Sequence, residues 1–79
     1  MLNIKILGGG CANCKRLEQI ARKVTADLGI QAEFEKVTNF EEIMKYPIVS
    51  TPGLVVNGKV VSSGRIPTEA EVAAWLKQA

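Results

Sequence analysis

The sequence predicts an α/β domain with the element order β-α-β-α-β-β-α. Three features carry that prediction. Polar and apolar side chains alternate in two short runs, as in strands, and the seventeen residues from Ala12 to Leu28 between them repeat their apolar positions at helical spacing. Asn57-Gly58 stands between two valine-rich runs, a strong hairpin signal, because both central residues of a type I′ turn need positive φ. Two T-x-x-E patterns, at Thr38/Glu41 and Thr68/Glu71, mark the starts of two further helices.

Taken in order, Asn3 to Leu7 places Ile4 and Ile6 on one face of a first strand, which the glycines at 8, 9 and 10 stop. From Ala12 to Leu28 the residues Leu17, Ile20, Ala21, Val24 and Leu28 form an apolar stripe, with Arg16, Gln19, Arg22 and Lys23 opposite, and Gly29 stands at the C′ position. Ile30 to Val37 alternates again, with Ile30, Ala32, Phe34 and Lys36 sharing a side. A strand, a helix and a strand joined by short loops form a βαβ unit, so these strands are expected to be parallel. The capping box at Thr38 and Glu41 opens a short helix through Phe40, Ile43 and Met44, which Pro47 ends. Leu54–Val56 and Lys59–Ser62 make the hairpin. Thr68 then caps a closing helix whose apolar face is Val72, Trp75 and Leu76.

A chain of 79 residues supports one small domain, 1–79, because a split would leave two pieces unable to bury a core. A hydrophobic content of 47% with 23% charged residues is that of an ordinary globular protein. Lysines and arginines are scattered and the formal charge is +2, so no basic stripe interleaved with aromatics points to nucleic acid. No apolar run reaches the roughly 18–20 residues that cross a bilayer, and a cytoplasmic, monomeric protein is expected. Cys11 and Cys14 are the two cysteines, and there is no histidine. A lone close pair suggests redox or metal chemistry rather than a disulfide scaffold.

Four readings compete for this pair. A phosphate-binding loop needs a glycine where Asn13 stands, or a Gly-Lys-Ser/Thr ending that is absent. A metal carrier is the stronger rival: two thiolates suffice for Cu(I), whereas a closed zinc site needs four ligands and the chain offers two cysteines. The run Gly8 to Ile20 is similar to the C-x-x-C loop of heavy-metal-associated domains, although Gly9 replaces their methionine and their fold ends in a strand. A disulfide that merely stabilises is the third reading, but a bridge closing so few residues restricts the unfolded chain weakly.

Redox exchange is the fourth, and position favours it. At the helix start, unpaired backbone N–H groups and the positive end of the helix dipole stabilise a thiolate at Cys11, the candidate nucleophile. Cys14, one turn further in, is the candidate resolving thiol that attacks the mixed disulfide. Lys15 and Arg16 add nearby positive charge.

The C-x-x-C at the first β-to-α junction, followed by a Thr-Pro, a Val-rich hairpin and a helix, resembles the minimal thioredoxin fold, in the manner of glutaredoxins and small thioredoxin-like redox-active disulfide proteins. This resemblance implies a thiol-disulfide oxidoreductase that needs no cofactor beyond a reversible Cys11–Cys14 disulfide. Its partners would be disulfide-containing proteins and a reductase. It also implies that Pro52 is cis, that Thr51 docks substrate backbone, and that Gly10, Ser63 and Gly64 complete the groove. The expected architecture is a four-stranded mixed sheet, order 2-1-3-4, with helices on both faces. The pair between the cysteines, Ala12-Asn13, matches neither the Gly-Pro of thioredoxins nor the Pro-Tyr of glutaredoxins, the acidic residue that thioredoxins carry has no counterpart before the cysteines in the first strand, and Ser63-Gly64 stands where glutaredoxins carry Gly-Gly for glutathione.

Overall fold

The computed structural model describes residues 2–8, 12–48 and 50–79. The chain runs β1 (Leu2–Leu7), α1 (Ala12–Leu28), β2 (Ala32–Val37), α2 (Phe40–Ile43), β3 (Gly53–Val56), β4 (Lys59–Ser63) and α3 (Glu69–Gln78). Its four strands form one mixed sheet in the order β2-β1-β3-β4. β1 pairs parallel with β2, from Leu2 opposite Ala32 to Leu7 opposite Val37, and antiparallel with β3. β1 is therefore central, which suits its apolar character: Ile4, Ile6 and Leu7 are all buried.

Alternation along the strands divides the interior into two unequal cores. Ile4 and Ile6 of β1 with Leu54 and Val56 of β3 meet Leu17, Ala21 and Val24 of α1 and Val72 and Leu76 of α3. The intervening residues, Leu7 and Val55, face the other way and meet Val37, Ile43 and the half-buried Tyr46 and Ile48. Two long helices thus cover one face, while the single turn of α2 covers only one end of the other. No helix among the described residues is long and apolar enough to cross a membrane.

Local chemistry explains most boundaries. Asn57 (φ 51°) and Gly58 (φ 83°) make the tight turn of the hairpin, and Asn57 is locked to β1 by exchanging bonds with Asn3: its N–H donates to the Asn3 carbonyl at 2.7 Å and its Oδ1 accepts from the Asn3 N–H at 2.9 Å. In β4 the register slips between the Leu54–Ser62 and Val55–Val60 pairs, so Val61 is the extra residue of a bulge.

Three expectations need correction. β2 begins at Ala32, not Ile30, because the Ile30 N–H is taken by the Thr25 carbonyl at the end of α1. The cap of α2 is Asn39, not Thr38: its side chain accepts from the N–H groups of Glu41 and Glu42. Val37 is the last paired strand residue, so the chain needs Thr38 as a connector before it can turn. Nor does α2 bury a full apolar face, since Ile43 is inside while Phe40 is 72% and Met44 66% exposed.

The capping box of α3 forms as expected. Thr68 Oγ1 accepts from the Glu71 N–H at 3.1 Å, and Glu71 Oε1 accepts from the Thr68 N–H at 3.0 Å. Arg65 grips the same carboxylate with two N–H donors, and with the Thr68 N–H it lowers the Glu71 pKa to about 2 from an ordinary 4.5. A carboxyl depressed in the folded state stabilises it above the unfolded pKa and loses that contribution as pH falls through the folded one. Stability is therefore expected to decline between about pH 4.5 and pH 2, and Glu71→Gln to flatten that part of the profile, as followed by urea unfolding across pH.

Candidate active site

Cys14 lies in the first turn of α1, 5% exposed, and is disulfide-bonded. Its place follows from the helix register: Cys14, Leu17, Ala21 and Val24 recur at spacings of three and four and form the buried stripe of α1. The proposed nucleophile Cys11 and the groove residue Gly10 lie outside the described residues, as does Gly9.

The end of β1, the first turn of α1 and the loop before β3 meet at Gly8. Gly8, buried at the end of β1, has φ +146°, a conformation L side chains rarely adopt. A Cβ built on it would collide with Cys14 Sγ and lie 3.4 Å from Thr51 Cβ. Only hydrogen at this position lets the strand end approach both the helix and the loop before β3. Gly8 also continues the sheet, its N–H donating to the Val37 carbonyl at 2.9 Å.

The loop carrying Thr51 is held from its other side. The Thr51–Pro52 peptide is cis, with Thr51 exposed and Pro52 buried. The Pro52 carbonyl accepts from the Gly64 N–H at 2.9 Å, and the Ser50 side chain rests where a Cβ of Gly64 would stand. Gly64, at φ +73°, is thus in direct contact with the Thr51 loop, while Ser63, exposed, pairs with Gly53 at the same end of the sheet. Cys14, Thr51, Pro52, Ser63 and Gly64 therefore all sit at the end of the molecule where β1 finishes and β3 begins.

Two hollows border this cluster. A groove of about 400 Å³ is lined by Phe40, Ile43, Met44, Ile48, Ser50 and Thr51, so the apolar side chains that α2 leaves exposed adjoin the Thr51 loop. A smaller cavity of about 40 Å³ is lined by Ile6, Gly8, Cys14, Lys15, Glu18 and Lys36. Within it Glu18, with only 15% of its side chain exposed, accepts bonds from Lys36 at 3.0 Å and Arg22 at 2.8 Å. Those two cations, Lys36 first, hold its carboxyl below the usual carboxylate range. A larger hollow of about 510 Å³, beside the hairpin turn and Trp75, contains none of the predicted site residues.

Sequence reading missed Gly8, Glu18 and Lys36 as neighbours of the cysteine. The one available signal was that Glu18 follows Cys14 by four residues, which puts the two on one helix face. Among the described residues no three of His, Cys, Asp and Glu come together as a metal cluster.

Residues 2–77 match the model of a thioredoxin domain family. The chain is 42% identical over 72 residues to a thioredoxin of Methanothermobacter thermautotrophicus, covering 91% of this chain and 94% of that protein. It is 38% identical over 77 residues to a thioredoxin of Methanocaldococcus jannaschii, covering 98% and 88%. The fold is similar to the germline-specific thioredoxin Deadhead of Drosophila melanogaster (TM-score 0.66, 19% identity, 98% of this chain and 79% of that one). It is also similar to the oxidised thioredoxin of Plasmodium falciparum (TM-score 0.63, 22% identity, 98% and 79%).

The close approach at Gly8 is testable against a second glycine of positive φ. Gly29 (φ +68°) has nothing within 4 Å of a built Cβ. Gly29→Ala is expected to show backbone strain alone, about 1–3 kcal/mol. Gly8→Ala must also displace the Cys14 sulfur and should cost more in urea unfolding. Equal losses in the two variants would contradict the contact.

Proposed function

This chain belongs to the thioredoxin domain family, and from that premise we propose that it is a thiol-disulfide oxidoreductase that reduces protein disulfides with Cys11 and Cys14. The observation that carries the proposal is the setting of Cys14: buried, disulfide-bonded, and packed against Gly8, which also approaches the exposed loop residue Thr51. A resolving thiol belongs in such a place. It is shielded from solvent disulfides yet lies against the surface where a substrate segment can lie.

The Cys11 thiolate attacks one sulfur of the substrate disulfide, forming a mixed disulfide and releasing the first substrate thiolate. Cys14 loses its proton and attacks Cys11 Sγ, so the Cys11–Cys14 disulfide forms and the second substrate thiolate leaves. Two electrons have passed to the substrate, and a separate dithiol reductase restores the protein. Net reduction requires a reducing compartment, and the cytoplasm meets that condition. Thr51 offers backbone to an extended substrate segment, with Ser63 and Gly64 at the rim, and the groove beside Phe40 and Met44 receives its apolar side chains.

Single substitutions separate the roles. Cys11→Ser is expected to abolish reduction of a disulfide-bonded protein such as insulin, by at least a hundredfold. Cys14→Ser should accumulate a covalent adduct of protein and substrate, visible as added mass that dithiothreitol removes. Equal residual activity in the two variants would contradict the assignment, and stoichiometric metal with no measurable exchange in the unsubstituted protein would favour a carrier of Cu(I) or zinc.

A further inference from the structure

Lys15 and Arg16 are exposed on the first turns of α1, and neither forms an ion pair or a side-chain hydrogen bond among the described residues. A helix N-terminus favours anions, so both cations stand against the helix dipole with no carboxylate in the first turn to offset them. Lys36, at the end of β2, lines the small cavity together with Lys15 and Cys14. It binds Glu18, as Arg22 does, so one carboxylate answers two cations. Exposure sets the sign of the surface: the side chains of Lys36 and Arg22 are 59% and 55% exposed, and that of Glu18 is 15% exposed. The outward face beside Cys14 is therefore positive, although the whole chain carries a formal charge of only +2.

Other charges near this end are neutralised or turned away. Arg65, just after Gly64, is held by both carboxylate oxygens of Glu71, and Glu42 is paired with Lys45. Phe40, Ile43 and Met44 line the apolar groove from one face of α2, which leaves Glu41 and Glu42 on another. The site thus has a basic side, built by α1 and the end of β2, and an uncharged apolar side at α2.

Building on the oxidoreductase reading, on which this rests, we infer that the substrate is an extended protein segment with acidic residues beside its disulfide. Its carboxylates meet Lys15, Arg16 and Lys36, while an apolar side chain enters the groove lined by Phe40 and Met44. Charge complementarity gives the sign of the partner. The groove gives its size: about 400 Å³ beside Thr51 is more than a bare disulfide fills, so the occupant is a chain carrying side chains next to its cysteine. The exchange is unchanged. The Cys11–Cys14 dithiol gives up two electrons and two protons and becomes a disulfide, and the substrate disulfide becomes two thiols. Charges this exposed act mainly on the rate of encounter, and salt weakens them.

The test uses three peptides that share one intramolecular disulfide and one leucine, with the disulfide flanked by glutamates, glutamines or lysines. Each is mixed with the reduced protein, and its second-order rate of reduction is read by acid quench and chromatography. At low ionic strength the acidic peptide is expected to react at least about tenfold faster than the basic one, the lower end of electrostatic steering. Near 1 M salt, where screening acts over about 3 Å, the gap should shrink to within about twofold. The double variant Lys15→Gln/Arg16→Gln should lose most of the acidic-to-basic ratio at low salt. A change in thiol ionisation alters all three rates by one factor and leaves that ratio, so the ratio reads docking. Lys59 and Lys77, equally without an ion pair, lie at the start of β4 and the end of α3, and Lys59→Gln/Lys77→Gln removes the same charge and must keep the ratio. Equal rates for the three peptides overturn the inference, and so does a preference that Lys15→Gln/Arg16→Gln retains. Equal loss in Lys59→Gln/Lys77→Gln assigns the preference to net charge and overturns it too. Oxidised glutathione, a small anionic disulfide, reduced as fast as the acidic peptide would overturn the assignment to a protein segment. Failure to reduce any of these disulfides would instead contradict the oxidoreductase reading itself.

Discussion

Everything at the candidate site depends on one steric allowance: there is no side chain at Gly8. The residue ends the central strand, and its φ of +146° turns the backbone so that the Cys14 sulfur occupies the space a Cβ would take. Thr51 comes within van der Waals reach of the same point. Close packing leaves no slack in such an arrangement, because a methyl-sized change at a filled position must move backbone or sulfur. Strand, helix and loop are therefore brought into one cluster by a missing group rather than by a bond.

The sheet makes that cluster accessible by covering its two faces unequally. α1 and α3 bury one face along its length, and the continuous core from Ile4 to Leu76 gives the domain its hydrophobic interior. On the other face the four residues of α2 cover only the end near Leu7 and Val55. Phe40 and Met44 therefore stay in solvent beside the Thr51 loop. These two side chains line one groove with Ile43, Ile48, Ser50 and Thr51, so they form a joint apolar surface rather than scattered single residues. Gly64 holds that loop through its bond to the Pro52 carbonyl and its close contact with Ser50.

Charge around the cysteine is arranged across elements rather than along one. Lys36 reaches from the edge strand β2 to Glu18 on α1, and Arg22 approaches the same carboxylate from the next turn. The guanidinium of Arg22 also lies 4.4 Å from the centre of the Phe34 ring, which fixes it from a second direction. Ion pairs this exposed on their cationic side add little to stability. Their consequence is local: they hold the Glu18 carboxylate at the small cavity that Cys14 also lines.

Much of this was legible from residue spacing. The Asn57-Gly58 turn and the Thr68 cap arise from interactions within a few residues, the elements from local periodicity, and the parallel β1–β2 pair from the short loops that join a strand, a helix and a strand. The C-x-x-C pair is visible locally but left four readings open, and the assignment of Thr51-Pro52 to the site came from resemblance, since local preference favours a trans bond. The cap of α2 was misread because Asn39-x-x-Glu42 and Thr38-x-x-Glu41 overlap, and only the end of strand pairing at Val37 chooses between them. What tertiary structure alone decided is the company Cys14 keeps: Gly8 against its sulfur, Thr51 on the same Gly8, and Lys36, tied to Glu18, lining the cavity that Cys14 borders. Gly8 and Thr51 lie 43 residues apart in the chain, Glu18 and Lys36 18 apart, and no periodicity links them. Their meeting follows from how far β1 extends and how α1 lies across the sheet, which the packing of the whole core sets.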